Sequence, residues 1–95
     1  MHETGIVRDL VRRLEAAAQD AGAARVVGVE IRLGALSQFS PAHFREHFDE
    51  EVRGTRAEGA ALRIQTGEDV ADPHAQDVML VNVDLEVPDE GGQMS

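Results

Sequence analysis

Near the start of the chain, apolar residues recur every three or four positions: Ile6, Val7, Leu10, Val11, Leu14, Ala17, Ala18 and Ala21. Arg8, Arg12, Arg13, Glu15 and Gln19 fall between them. A period of 3.6 residues places such positions on one stripe, so the pattern predicts an amphipathic helix. Thr4 can cap its start, and Gly22 stands where the left-handed residue past a helix end belongs. From Arg25 the period drops to two. Val27, Val29, Ile31 and Leu33 alternate with Gly28, Glu30 and Arg32, which predicts a strand with one buried face, stopped by Gly34. Leu36 and Phe39 lie in the connection.

Ser40-Pro41 then opens a second helix over residues 41–52. A serine oxygen accepts from free N–H groups, and proline at the first helical position forfeits no bond. Its apolar stripe is Phe44, Phe48 and Val52, and Gly54 ends it. Ala60, Leu62 and Ile64 alternate with Ala61, Arg63 and Gln65 as a second strand. Residues 66–77 are polar, carry Gly67 and Pro73 and show no period, so they read as a loop. Residues 78–87 give the strongest strand pattern, with Val81, Val83, Leu85 and Val87 on one side and Asn82, Asp84 and Glu86 on the other, before Pro88. The order α-β-α-β-β predicts an α/β two-layer sandwich, a three-stranded sheet with both helices on one face. Residues 1–87 form one domain and 88–95 a flexible tail. With so few strands, both sheet edges are available to a second copy, which makes a homodimer an expectation.

Composition narrows the chemistry. The 95 residues include no Cys, Trp or Tyr and only three Phe, so the core is expected to be aliphatic. Disulfides, a thiolate zinc cage and a thiol nucleophile are excluded. Nine Arg and no Lys stand against 18 acidic residues, a net charge of −9, which disfavours nucleic acid and anionic membrane surfaces as partners. All nine Arg and ten of the acids lie in residues 1–66; residues 67–95 hold the other eight acids and no base. No stretch approaches the ~18 apolar residues of a membrane span, and no basic-then-apolar leader opens the chain. The expectation is a cytoplasmic protein that begins at its own Met1.

The chemistry of the N-terminus is distinctive. In Met1-His2-Glu3, a free α-amine, the backbone nitrogen of His2 and its imidazole can close adjacent chelate rings on one metal, and the amide nitrogen of Glu3 can complete a plane. Four planar nitrogens suit Ni(II) and Cu(II) and not Zn(II). Protons must leave for the site to form, so affinity rises with pH around the amine's ordinary pKa of ~8. The glutamate can add charge or an outer contact.

Several ordered segments resemble the HypA/HybF family of hydrogenase maturation nickel chaperones. MHETGIV leads into the first helix; RVVGVEIRLGALSQFSP is similar to the family's strand, Gly-x-Leu-Ser turn and second-helix start; FREHF and VRGTRAEGAALRI follow as its second helix, Gly-Thr turn and second strand. The resemblance covers about residues 1–66. It implies a small protein that delivers nickel during nickel–iron hydrogenase assembly, and in some organisms to urease, with a maturation GTPase and the hydrogenase large subunit as partners. It further implies Ni(II) as cargo, held at Met1, His2 and Glu3. Two departures accompany it. The family's zinc module, with two pairs of cysteines, is replaced by TGEDVADPHAQD, so no zinc is expected. An acidic residue is common just before the helix-starting Pro, and here that position is Ser40. A degenerate member acting as a protein-interaction module without metal delivery is the alternative reading.

Other candidates have ordinary readings beside the chemical ones. His43 and His47 stand four apart, on one face of the second helix, as a metal pair, a partner contact or a partly solvated flank. His74 with Asp69, Asp72 and Asp77 makes either an accessory metal site or a solvated loop. Asp49, Glu50 and Glu51 oppose the helix dipole late in the second helix, as a partner surface or a solvated run. No Cys or Lys nucleophile and no phosphate-binding loop are present, so the protein is not expected to be an enzyme. The strand patterns argue against an acyl carrier.

Overall fold

The computed structural model describes residues 3–88, with side chains from Gly5 onward. Helix α1 spans Glu3–Asp20, strand β1 Arg25–Leu33, helix α2 Pro41–Glu51, strand β2 Ala61–Thr66 and strand β3 Val78–Glu86. This is the α-β-α-β-β order of an α/β fold. The tail expected over residues 88–95 lies outside the described residues except for Pro88.

Each boundary has a local cause. α1 begins at Glu3, so Thr4 falls inside its first turn rather than capping it. At the other end, Gly22 adopts φ +67°. The Ala23 N–H donates to the Ala18 carbonyl at 2.8 Å and the Gly22 N–H to that of Gln19 at 3.1 Å, the bond pair that closes a helix through a left-handed residue. Ser40 caps α2, its Oγ accepting from the His43 N–H at 3.1 Å, and Pro41 follows at the first helical position.

β1 is central. It pairs with β2 in parallel and with β3 antiparallel, giving the order β2-β1-β3. A parallel pair needs a crossover, which α2 supplies. α1 packs on β1 and β3, α2 packs on β2, and the helices touch each other, so both occupy one face. Val7, Leu10, Val11, Leu14 and Ala18 of α1 meet Val26, Val29, Ile31 and Leu33 of β1. Phe39, Phe44 and Phe48 are all buried there too. Phe39 meets Phe44 edge-on at 5.2 Å, and Phe44 stacks with Phe48 at 6.4 Å. The core is therefore aliphatic around α1 and aromatic around α2, rather than aliphatic throughout.

Three residues expected on the apolar side of their strands are exposed instead, among them Val87 at 54%, beyond the end of β3. Val27 is 37% exposed while Val26 is fully buried, and Val81 is 49% exposed. The β1–β3 register shifts between Val26 and Gly28 and again between Glu30 and Ile31. The first shift inserts Val27 into β1 and the second inserts Val81 into β3. Each bulge moves one valine to the far side and restores alternation beyond it. Val78, Leu80, Val83 and Leu85 are the β3 residues that pack against the core.

Residues 67–77 are shorter on regular structure than on order. The Gly34 N–H donates to Asp77 O at 2.9 Å, and the Leu36 N–H to Ala75 O at 2.6 Å. Ala75 is buried. Asp69 and Asp72 carboxylates accept from the N–H groups of Ala71 and His74, at 2.9 and 2.8 Å, each turning the chain locally.

Candidate metal centre

As the crossover between parallel strands, α2 runs opposite to β1. α1 leads into β1 through a short turn and runs opposite to it as well. The helices therefore lie side by side in the same direction, held by one ion pair between them and a second from α1 to the turn after α2. Arg8 Nε and Nη2 donate to Glu51 Oε1 and Oε2, both at 3.3 Å. Arg56 donates from Nη1 to Glu15 Oε1 at 2.8 Å and from its backbone N–H to Oε2 at 3.2 Å. These bonds to Arg56 hold the Glu15 carboxyl below the ordinary glutamate range, against a smaller opposing effect of burial.

One turn back from the Arg8–Glu51 pair lie the first turn of α1 and, on α2, His47. Here a groove lined by Ile6, Leu36, Gln38, Phe39, Gln76 and Val78 joins the start of α1 to the Gly34–Ser40 connection and the end of the loop. The starts of both helices and the loop before β3 thus share one end of the molecule.

Met1 and His2 lie outside the described residues, and Glu3 is described only as the first residue of α1. His43 and His47 are brought together. Their Nε2 atoms are 3.2 Å apart and their ring centroids 4.7 Å. Both rings lie about equally far from Phe39, at 6.2 and 6.3 Å. Both are half-buried.

The remaining candidates are engaged differently. His74 is exposed, and its Nδ1 meets Asp77 Oδ2 at 2.9 Å. With Asp69 and Asp72 turned onto backbone N–H groups, these acids do not form a cage. Among the described residues, no three or more His, Asp or Glu side chains converge as a metal site. Of the acidic run, Glu51 pairs with Arg8, while Asp49 and Glu50 are exposed. Sequence reasoning missed the Arg8 and Arg56 ion pairs and two further arginine roles. Arg45 Nη2 donates to the Leu62 carbonyl at 3.0 Å, tying α2 to β2; Arg63 on the open face pairs with Asp84 at 3.3 Å.

Fold and site define a small two-layer α/β protein with two parallel helices on one face of the sheet and the His43 and His47 imidazoles paired on the second of them. The family described as "Hydrogenase/urease nickel incorporation, metallochaperone, hypA" matches residues 1–74, and the chain belongs to this HypA family. A hydrogenase maturation factor HypA of Roseiflexus sp. is 46% identical over 65 residues, covering 68% of this chain and 53% of that protein. A hydrogenase maturation factor HybF of Salmonella typhimurium is 38% identical over 64 residues, 67% of this chain and 57% of the relative. The chain thus spans about half the length of the curated relatives it matches. The solution structure of the Ni metallochaperone HypA from Helicobacter pylori superposes with a TM-score of 0.77, over 93% of this chain and 100% of that one, at 15% identity. That likeness is one of fold. No helix among the described residues is long and apolar enough to cross a membrane.

Proposed function

We propose that this protein binds Ni(II) through the Met1 amine, the His2 imidazole and the backbone nitrogens of His2 and Glu3, and hands it on during hydrogenase maturation. The observation that carries this reading is the sequence Met1-His2-Glu3, with Glu3 opening α1, in a member of a nickel-incorporation family. On this reading the protein holds and transfers metal and catalyses nothing. A maturation GTPase and the hydrogenase large subunit are its partners.

The place of Glu3 in the helix favours the chemistry. The first N–H groups of an α-helix have no carbonyl partner within the helix. Removing the Glu3 amide proton to make a ligand therefore breaks no helical hydrogen bond. The positive end of the helix dipole would oppose a bare dication, but two deprotonated amides cancel the charge of Ni(II), and the neutral complex avoids that penalty.

The test is nickel titration by calorimetry and visible absorption on protein whose chain starts at Met1. Binding should strengthen as pH rises towards ~8, and both His2→Ala and residues added before Met1 should abolish it. Undiminished affinity in either would refute the assignment. One observation favours the second reading, an interaction module without metal delivery: Ser40 is spent as a helix cap and offers no carboxylate. That reading requires equal capture of the GTPase or hydrogenase subunit by native and His2→Ala protein, with no measurable nickel affinity. The outer edges of β2 and β3 pair with no other strand among the described residues, and a homodimer would form there.

A further inference from the structure

We infer that His43 and His47 form a second metal site, a pair of imidazole donors on α2 for a divalent transition metal of the Zn(II) type. Its donors are two side chains of α2, distinct from the amino-terminal nitrogens.

The first support is distance. A Zn–N bond is about 2.0–2.1 Å; two nitrogens 3.2 Å apart then subtend an angle of about 100° at the metal. That is nearer the tetrahedral angle than the right angle of adjacent ligands in a plane. The pair therefore selects differently from a four-nitrogen plane, which suits Ni(II) and Cu(II).

The second support is that the pair is held in place by the protein. Ser40 caps the helix at the His43 N–H itself. Phe44 and Phe48, each one residue beyond a histidine, are fully or almost fully buried and anchor this stretch of α2 in the core. Phe39, buried beneath both rings, meets that of His47 edge-on and that of His43 at a tilt. Little rotamer freedom remains to be lost when a metal arrives, which favours binding by a site of only two side chains.

The third support is the surrounding charge. Glu46 and Glu50 follow His43 and His47 by three residues each and are exposed, so they lower the cost of a cation nearby. Two imidazoles leave the remaining positions of a four-coordinate ion to other donors. Metal held by two imidazoles exchanges readily, as transient holding requires.

The rival explanation is an N–H···N hydrogen bond between the rings, for which 3.2 Å also suffices. Equilibrium dialysis against zinc chloride separates the two. The probe protein carries extra residues before Met1, which remove the amino-terminal site and make failure of this inference distinguishable from failure of the nickel reading. We expect one equivalent of Zn(II) bound, with affinity at least tenfold weaker in His43→Gln and in His47→Gln and unchanged in His74→Ala. Glutamine retains hydrogen-bonding capacity, and circular dichroism checks the fold of each variant. Co(II) in place of Zn(II) should give the intense visible bands of a four-coordinate site. No zinc uptake by the extended protein, or uptake that survives the double His43→Gln/His47→Gln change, would overturn the inference.

Discussion

Gly34 sits where β1 leaves the sheet and residues 67–77 close over it. A methyl group placed there would lie 2.2 Å from the Ala75 carbonyl oxygen and 2.4 Å from both the Ala75 carbonyl carbon and the His74 oxygen, whereas ordinary contact begins at 3.4 Å. All three are backbone atoms, so no side-chain rotation relieves the clash. In Gly34→Ala the loop must retreat by about 1 Å, and this loosens the Leu36–Ala75 and Gly34–Asp77 hydrogen bonds. At about 0.5–1.5 kcal/mol for each bond, the cost is about 1–3 kcal/mol. Urea unfolding followed by circular dichroism should show the midpoint falling by about 1–3 M, given a slope near the lower end of the range for small proteins. Gly5→Ala is the control. Its added methyl meets nothing within 4 Å, and in a helix the change should stabilise by about 0.5–1 kcal/mol. A Gly34→Ala midpoint within about 0.3 M of the parent would refute the claim that this loop is packed against β1.

The bulge in β1 makes neighbouring valines unequal. Val26→Ala, at a fully buried position, should cost about 2 kcal/mol, whereas Val27→Ala on the open face should stay within about 0.5 kcal/mol; equal losses in thermal unfolding would mean the strand is paired differently. The Glu15–Arg56 pair gives an acid-side dependence. Because the Glu15 carboxyl titrates lower in the folded protein, its stabilisation is complete well above the ordinary carboxylate pKa of ~4.3 and is lost as pH falls through the lowered value. With the side chain about one-third exposed, the pair is worth about 0–1 kcal/mol. Glu15→Gln should therefore be slightly less stable at pH 7 and match the parent near pH 3. A difference that grows on acidification would contradict the assigned partner.

The five elements were legible because each carries its own period and punctuation. The Ser40-Pro41 start and the Gly22 stop behave as their backbone chemistry dictates. Strand parity was misread at Val27 and Val81, because alternation counted along one strand cannot register an extra residue that matters only against its neighbour. A signal was present: Gly28 inside a strand marks a bulge. The loop looked structureless because its order comes from Asp69 and Asp72 bonding to nearby N–H groups and from Ala75 under Gly34, none of which produces a hydrophobic period. For the candidate sites, spacing placed His43 and His47 on one face, but their approach to 3.2 Å depends on ring rotation against Phe39, a contact between a loop and a helix. Met1 and His2 stand out through nitrogen chemistry rather than position in the fold.

The closure between β2 and β3 also bears on how this architecture can change over time. β1 is bonded on both sides and covered by α1, while residues 67–77 touch the rest of the protein chiefly at the Gly34–Leu36 corner. A cassette added or deleted there would leave every strand pairing and every helix contact intact. It would project from the end at which both helices start, beside the metal-binding candidates. The scaffold thus has a port open to exchange at this corner, where an accessory part could be gained or shed without refounding the core.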